Sequence, residues 1–362
     1  MEMHQLVHTL SYGDAISGEV LALQRCLQEL GLQSEIFAIH THPKYKGRTR
    51  SYLELSPQFS GSVILHYSLG SPLNSLYRSL TQARRILIHH NLTPASWFAS
   101  INPRIFRDIE QGRHEFPELL GLTDVRLADS RFNVAEIEAL GYSAEILELP
   151  IDSDKWSVAE NPGIMQLLKG DPKLHLLHVG RLAPNKCIED IIKVFYYLHK
   201  FIEPQSKLWL VGIDIDTEVY SFALKRLVHE LGLDEAVTFT GQRDDGELKA
   251  FYCAASAYIC MSEHEGFCLP VIEAMHFGLP VVAFASSALP DTVGTGGILV
   301  SEKKHPEIAE IIAKISRPGT LRESLMSAGK QRVAELSLSK FKKRVSELFG
   351  AGHNSVLSAH NG

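Results

Sequence analysis

The stretch that decides the fold is SEHEGFCLPVIEAMHFGLPVVA, residues 262–283. A short apolar strand, AYICM (257–261), precedes it, and its central part has helical composition before GLPVVA begins a further strand. The order strand, loop, helix, strand is typical of a parallel α/β sheet, in which ligands bind in the loop after a strand's carboxyl end. The helix that follows offers unpaired N–H groups and a positive dipole end to an anion. The sequence therefore predicts an anion-binding loop here.

Two glutamates, Glu265 and Glu273, belong to this loop and helix, with seven residues between them. Glu265 falls in the loop and Glu273 about two turns further on, inside the helix, so the pair can bracket one bound molecule. A carboxylate accepts hydrogen bonds from vicinal hydroxyls, as the acidic residue of a dinucleotide site does with ribose. An anionic ligand rich in hydroxyls, such as a nucleotide sugar, fits both features.

The same stretch resembles the donor-binding signature of the family 4 retaining glycosyltransferases. The matching segments are residues 265–270, 273–275 and 278–282, and Cys268 is a departure because many members carry glycine there. The resemblance implies an α/β protein of the GT-B fold, with two Rossmann-like doubly wound domains facing across a cleft. The donor-binding residues that it implies in this stretch are Glu265, Gly266, Phe267, Cys268, Leu269 and Glu273.

Length and composition agree with two domains of an ordinary globular protein. The chain has 362 residues, 45% of them apolar and 22% charged, with a net charge of −6. Nothing in this composition points to nucleic-acid binding. The N-terminus has no basic stretch followed by a long apolar run, and no segment is apolar for long enough to span a bilayer. We therefore expect a cytoplasmic protein, with the inner face of the membrane as a further location.

The five cysteines are scattered, with no pair at metal-ligand spacing, and are expected to be reduced thiols. We expect no metal site and no cofactor.

Short apolar runs alternate with helical segments along the chain, which is the βα pattern of parallel sheets. In the first half the predicted strands cover residues 5–10, 35–40, 62–67, 85–90, 124–129 and 144–149. The polar segment from 150 to 172 is interpreted as a linker or domain entry. The predicted domains are 1–155, which binds the acceptor, and 156–335, which binds the donor. By analogy with GT-B proteins, helix 336–350 crosses back to the first domain, and 351–362 is a disordered tail.

The first strand is followed by a loop of small and polar residues and then by an amphipathic helix that ends near Gly31. Gly13 is the candidate for close approach to the donor, and Asp14 is the candidate for contact with an acceptor hydroxyl. An ordinary helix-capping turn is the alternative for Asp14.

Two strands of the first half end in histidine, one at His66 and the other at His89 and His90. The resemblance implies that His90 lies close to the donor sugar. Since successive side chains of a strand point to opposite faces, only one of the adjacent pair should face the cleft. The alternative is a capped or partly exposed histidine without a catalytic role.

The second half supplies the cations. Gly180, Arg181 and Lys186 follow the strand at 173–180 and resemble the family's second signature, in which the two cations hold the donor diphosphate. Arginine binds phosphate oxygens bidentately, and lysine adds a point charge. Gly212, after the next strand, is the predicted point of approach to the nucleotide. Gln242 and Arg243, after the strand that follows, are predicted to contact the base.

The resemblance implies a retaining, metal-independent glycosyltransferase. It would move a hexosyl group from a nucleoside diphosphate sugar to a glycan or lipid-linked acceptor, in polysaccharide or envelope glycan synthesis. Charge develops on the leaving diphosphate, where fixed cations are most effective. The predicted catalytic residues are His90, Glu265, Arg181 and Lys186.

Alternatives remain at this point. One is a non-catalytic nucleotide-sugar-binding partner subunit, and the other is a phosphorylase or epimerase with the same fold. The cations at 44–50 (Lys44, Lys46, Arg48 and Arg50) leave peripheral membrane contact open, with a solvated loop as the simpler interpretation. The oligomeric state is not predicted.

Overall fold

The computed structural model of the chain describes residues 1–169 and 174–350. The predicted tail at 351–362 and the end of the predicted linker at 170–172 lie outside these residues. The described part divides into two compact units. Unit 1 comprises Met1–Ala95, Arg104–Asp152 and the chain from Leu336 onward, and unit 2 comprises Ser96–Pro103 and Ser153–Glu335.

Unit 1 is built on a seven-stranded parallel sheet with the order β3-β2-β1-β4-β5-β6-β7. Its strands are β1 (Met3–Leu10), β2 (Ile36–Thr41), β3 (Arg50–Ser51), β4 (Ser62–Tyr67), β5 (Arg84–His89), β6 (Val125–Ala128) and β7 (Glu145–Ile146). Its first helices are α1 (Ala15–Glu29), α2 (Pro72–Ser79), α3 (Pro103–Gly121) and α4 (Arg131–Glu138). Every residue of β4 is buried, as expected of a parallel strand covered on both faces.

Unit 2 is built on a six-stranded parallel sheet with the order β10-β9-β8-β11-β12-β13. Its strands are β8 (Leu174–Val179), β9 (Ser206–Val211), β10 (Val237–Gly241), β11 (Ala257–Cys260), β12 (Val281–Phe284) and β13 (Ile298–Val300). Its helices are α5 (Pro162–Lys169), α6 (Ile188–Tyr197), α7 (Glu218–Glu230), α8 (Asp245–Ala254), α9 (Leu269–His276), α10 (Leu289–Val293), α11 (His305–Ser316) and α12 (Thr320–Glu335).

The final described helix, α13 (Leu338–Phe349), belongs to unit 1. Its apolar residues Phe341 and Val345 are buried in one cluster with Leu23 and Leu27 of α1. An ion pair of 2.8 Å between Lys342 and Glu29 lies beside this contact. The chain therefore returns to unit 1 after it has completed unit 2.

The α/β fold class with two parallel sheets is confirmed, and two details differ from expectation. The units divide between Asp152 and Ser153 rather than at 155/156. The segment expected to be a linker contains α5, which packs against α8. No helix among residues 1–169 and 174–350 combines the length and the apolar character that crossing a membrane requires.

Both sheets reverse their winding at a central strand. In unit 1, β2 and β3 lie on one side of β1, and β4 lies on the other. In unit 2, β9 and β10 lie on one side of β8, and β11 lies on the other. Ligands of open α/β sheets bind outside the carboxyl ends of the strands at such a switch point. The loops after β1 and β4, and those after β8 and β11, are therefore the places to search for sites.

Candidate functional site

The two signature segments of unit 2 follow neighbouring strands. Gly180 and Arg181 follow β8, and the glutamate loop follows β11, which pairs in parallel with β8. The Asn185 side chain donates a 2.9 Å hydrogen bond to the carbonyl of His264, which ties one loop to the other. The fold thus brings the predicted diphosphate and sugar contacts to one edge of the unit 2 sheet.

Lys186 and Glu265 form an ion pair in this edge. The Lys186 ammonium donates to the Glu265 carboxylate over 2.5 Å, and the two side chains are 22% and 6% exposed. Burial lowers the pKa of Lys186, but the Glu265 carboxylate outweighs it and raises that pKa above its ordinary value. Lys186 is therefore a cation at neutral pH, and in this structure Glu265 is its counter-ion.

Glu273 lies inside α9 and is held from two sides. Lys155 donates to one carboxylate oxygen over 2.9 Å, and the Tyr252 hydroxyl donates to the other over 2.9 Å. Burial, and then the Glu273 charge, raise the pKa of Tyr252 well above its ordinary value, so this hydroxyl keeps its proton and acts as donor. Each carboxylate oxygen retains a lone pair for a further donor.

Lys155 and Tyr252 are contacts that the sequence analysis missed. Lys155 lies in a short 3-10 turn, Ser153–Ser157, at the start of unit 2, and its ammonium sits 4.3 Å from the ring centre of Trp156. Trp156 in turn packs edge-on against Tyr252 and Phe277. This aromatic group fixes the position from which Lys155 reaches Glu273, and no local motif announces it.

Gly212 has a steric reason to be glycine. A Cβ atom at this position would lie 1.8 Å from the carbonyl oxygen of Gly180, a distance that no side chain tolerates. The loops after β8 and β9 therefore touch through their backbones. Arg181, half-buried in the same place, donates over 2.7 Å to the carbonyl of Ile215.

The two residues predicted to contact the base are placed less tightly. Gln242 is exposed, directly after β10. Arg243 pairs with Glu247 over 3.2 Å and donates over 2.6 Å to the carbonyl of Thr240. The structure thus keeps both residues at the carboxyl end of the sheet, and their contact with a base stays a prediction.

The remaining signature residues surround the start of α9. Phe267 and Cys268 are buried, and the Phe267 carbonyl accepts a 2.5 Å hydrogen bond from the Thr292 hydroxyl. Gly266 and Leu269 belong to the same turn, Gly266 being half-buried. Cys268 adopts a left-handed backbone (φ +76°), which is rare for a residue other than glycine.

In unit 1 the predicted histidines are buried rather than displayed. The side chains of His89 and His90 both have 0% exposure. His89 Nε2 lies 2.9 Å from a Glu136 oxygen, and His90 Nε2 lies 2.9 Å from His66 Nδ1. Each ring therefore has at least one protein partner, and contact between His90 and a sugar stays a prediction.

The hydrogen bonds around His66 decide where the protons lie. The Gln5 amide nitrogen donates to the carbonyl of Val20, so the Gln5 oxygen must accept from His66 Nε2. Burial, and then His90, hold the pKa of His66 well below its ordinary value, so the ring is neutral and its Nδ1 accepts. His90 Nε2 is therefore the donor in the contact between the two rings.

The other nitrogen of His90 faces two acids. His90 Nδ1 lies 3.3 Å from Asp129 and 3.5 Å from Glu19, both buried. Burial lowers the pKa of His90, but the charges of Glu19 and Asp129 outweigh burial, so this pKa lies above its ordinary value. Burial also raises the pKa of Glu19 to about 7. Glu19 and Asp129 thus favour the protonated form of the His90 ring. Glu19 was missed, although its position between Ile16 and Leu23 places it on the apolar face of α1.

The loop after β1 behaves as a helix start. Gly13 has φ +80°, and a Cβ atom added there would meet no atom within 4 Å, so backbone conformation alone accounts for glycine. Asp14 caps α1, since its carboxylate accepts from the backbone N–H and the hydroxyl of Ser17, both over 2.9 Å. The capping alternative for Asp14 is what the structure contains.

A surface cavity of about 730 Å³ lies in unit 1 between the turn at 52–57, α2 and α3. Leu53, Leu76 and Asp108 are among its lining residues. None of the predicted site residues lines it.

The second half of the chain is similar to known glycosyltransferases. Residues 164–332 match the family model described as "Glycosyl transferases group 1". O-antigen chain mannosyltransferase B of Escherichia coli is 26% identical over 164 residues, which cover 45% of this chain and 42% of the relative. The chain thus spans less than half the length of this curated relative.

Solved structures match almost the whole chain. Sucrose-phosphate synthase from Thermosynechococcus elongatus superposes with a TM-score of 0.75 at 19% identity, over 96% of this chain and 98% of that one. Anabaena HepE in complex with UDP-glucose superposes with a TM-score of 0.71 at 16% identity, over 96% and 99% of the two chains. Residues 164–332 are therefore similar to the glycosyl transferases of group 1, within a chain that has the GT-B fold.

Proposed function

We propose that this chain is a glycosyltransferase that moves a hexosyl group from a nucleoside diphosphate sugar to a glycan or lipid-linked acceptor. One observation carries the proposal. At the carboxyl edge of the unit 2 sheet, each signature glutamate is paired with a lysine, Glu265 with Lys186 and Glu273 with Lys155. Such an edge offers cations to a diphosphate and carboxylates to sugar and ribose hydroxyls, which together are the chemistry of a nucleotide sugar.

The diphosphate is assigned to Lys186 and Arg181. Lys186 has three N–H donors, of which Glu265 takes one, so the ammonium can bind a phosphate oxygen without leaving its partner. Arg181 lies on the same loop and adds a guanidinium. Both cations are assigned to the oxygen on which negative charge grows as the bond to the sugar breaks, so they stabilise the transition state more than the ground state. We infer from this that the reaction requires no metal ion.

The sugar and the ribose are assigned to the two glutamates. Glu265 is fixed by Lys186 and by its own backbone N–H, which donates over 2.8 Å to the Ser287 hydroxyl. Glu273 is fixed by Lys155 and Tyr252. Because both carboxylates are held in place before a ligand arrives, donor binding loses little side-chain entropy in ordering them.

We further propose that transfer retains the configuration at the anomeric carbon. The acceptor hydroxyl would attack that carbon from the face on which the diphosphate leaves, and a phosphate oxygen would take the hydroxyl proton. The bond from the anomeric carbon to the diphosphate breaks as the bond to the acceptor oxygen forms. Support for this stereochemistry comes from the resemblance of residues 265–282 to retaining enzymes.

The proposed setting is the synthesis of a polysaccharide or an envelope glycan on the cytoplasmic side. Support comes from the similarity to an O-antigen mannosyltransferase. The structural similarity to a protein that holds UDP-glucose supports a nucleotide-sugar donor. A mannosyl or a glucosyl donor is therefore the first to test.

The test is a thermal-shift screen against UDP, GDP and ADP and their mannose and glucose conjugates. A ligand present at a hundred times its dissociation constant stabilises the folded protein by about 2.7 kcal/mol. We expect a shift with one nucleotide class and its loss in Glu273→Ala. The active donor is then incubated with candidate acceptors, and release of the nucleoside diphosphate is measured.

Three results separate the alternatives. Nucleotide release that depends on an acceptor supports the transferase. Release that depends on inorganic phosphate indicates a phosphorylase. Tight donor binding without release under any condition indicates a non-catalytic partner subunit and contradicts the proposal.

A further inference from the structure

Two cysteines meet beneath the glutamate loop. Cys260 ends β11 and Cys268 immediately precedes α9, and both side chains are buried. Their sulfur atoms lie 3.9 Å apart, and the Ser262 hydroxyl lies 3.3 Å from the Cys260 sulfur. The two cysteines do not stand at metal-ligand spacing in the sequence, because the seven residues between them form a loop that brings them together only in the fold.

A carboxylate completes this group. One ligand atom of Glu265 and the two sulfurs all lie within 4.8 Å of one another. A tetrahedral Zn²⁺ with Zn–S bonds of about 2.3 Å holds its two sulfurs about 3.8 Å apart. The observed separation of 3.9 Å therefore fits a metal without movement of either cysteine. A disulfide would require the sulfurs to approach by about 1.9 Å.

The charges also balance. Lys186 contacts the Oε2 atom of Glu265, which leaves Oε1 for another partner. With two neutral thiols, the group of Lys186, Glu265 and the cysteines has no net charge. A divalent cation that displaces one proton from each thiol adds two positive and two negative charges, so the buried net charge stays at zero. Burial therefore does not oppose such an exchange as it would an unpaired cation.

We propose that Cys260, Cys268 and Glu265 bind a thiophilic divalent metal ion, with Zn²⁺ as the physiological candidate and water as the fourth ligand. The left-handed backbone of Cys268 supports this assignment, because strained conformations of this kind persist where a side chain must be aimed at a ligand.

A second group with a cysteine is less suited to a metal ion than the first. Cys187, Asp190 and Glu263 also lie close together. Lys303, however, contacts Asp190 over 2.8 Å and Glu263 over 2.7 Å, so a lysine already bridges both acids. This group also has one sulfur instead of two. Cys187 is therefore a suitable control position.

The consequence for donor binding rests on the proposed function. A metal ion on Glu265 would occupy the carboxylate assigned to sugar hydroxyls, so Zn²⁺ should compete with the donor. The metal site itself does not depend on that assignment, since its test measures metal binding directly. A failure of one proposal is thus distinguishable from a failure of the other.

The test is a Co²⁺ titration of the full chain after reduction with a phosphine. We expect a near-ultraviolet thiolate-to-cobalt charge-transfer band that saturates at one ion per chain and disappears when Zn²⁺ is added. Cys260→Ser and Cys268→Ser should each abolish the band. Cys187→Ser and Cys253→Ser should leave it unchanged.

A fifth variant guards against loss of folding, which circular dichroism monitors in each protein. Glu265→Gln keeps both sulfurs and should retain the band, while the affinity for the metal ion should fall by about tenfold or more. No band in the wild-type protein, or a band that survives both serine substitutions, would overturn the proposal. So would a mass lower by two hydrogens on the peptides of Cys260 and Cys268 before reduction, which would identify a disulfide instead.

Discussion

The ammonium of Lys155 lies 2.9 Å from the carboxylate of Glu273, although 118 residues separate them in the chain. Lys155 stands three residues after Asp152, where unit 2 takes over from unit 1. The ribose-binding candidate in α9 is therefore held by the first turn of the unit that contains it.

We predict that this pair is coupled in stability. Lys155→Met should lower the free energy of unfolding by about 1–2 kcal/mol. The substitution removes one of the two donors to the buried Glu273 carboxylate and leaves Tyr252 as the other. The measurement is a double-mutant cycle with Glu273→Gln by urea unfolding, with an expected coupling of about 1 kcal/mol. Lys343→Ala, which removes an exposed surface pair, is the control and should change stability little. Additive effects of the two substitutions would contradict the prediction.

We predict that the contributions of Lys186 to catalysis and to stability can be separated. Lys186→Met should lower turnover by at least about a hundredfold and should also destabilise the fold, because Glu265 is 6% exposed and loses its counter-ion. The double variant Lys186→Met with Glu265→Gln should recover stability, while its turnover should stay well below that of Glu265→Gln alone. Turnover and thermal stability are measured on the two single variants and the double variant. Recovery of turnover together with stability would show that Lys186 has a structural role alone.

The buried group of Glu19, Asp129 and His90 in unit 1 should make stability depend on pH. The pKa of Glu19 is about 7 in the fold, above its ordinary value near 4.5, so the folded state holds a proton that the unfolded state has released. Stability from this group is therefore present at low pH and is lost as pH rises from about 4.5 to 7. The raised pKa of His90 acts in the same direction at higher pH, because its stabilisation is lost as pH rises through the folded value.

Glu19→Gln removes the titration of Glu19 and also the part of the raised His90 pKa that Glu19 causes, and both changes act in the same direction. Between about pH 4.5 and pH 8, the stability of the variant should gain on that of the wild type by about 2–3 kcal/mol. Urea unfolding of both proteins across that range checks the difference. Parallel stability curves would mean that Glu19 titrates normally.

Two glycines separate a steric effect from a conformational one. Gly212→Ala should cost more than about 2 kcal/mol and disturb nucleotide binding, because the new methyl group would collide with the Gly180 carbonyl. Gly241→Ala is the matched control, since it has φ +71° but no atom within 4 Å, and it should cost only about 1 kcal/mol. Melting temperature and nucleotide binding are measured for each. Equal losses would argue against the backbone contact.

Sequence patterns predicted most of what is local. Strand β4 has the bounds that its apolar run predicts, because a run of buried residues leaves few other choices. The amphipathic repeat predicted α1, and the same repeat, applied to acidic residues, would have found Glu19. The loop order after β8 and β11 predicted which edge of the sheet to search.

What the sequence withheld are contacts that depend on the path of the chain. Nothing near Lys155 points to Glu273, and nothing near Cys260 points to Cys268. Strand alternation predicted that only one of His89 and His90 would face the cleft. Both are buried, because a parallel sheet is covered on its two faces, and each histidine has its own protein partners there.

The return of α13 to unit 1 bears on how the chain matures during synthesis. The face of α1 that contains Leu23 and Leu27 is covered by α13. That face stays uncovered until residues beyond 338 have left the ribosome, whereas residues 153–335 emerge in one run and contain nearly all of unit 2. The half of the protein that is translated first is therefore the half that is completed last, and a nascent chain must keep an apolar helix surface from aggregating while its other half is made.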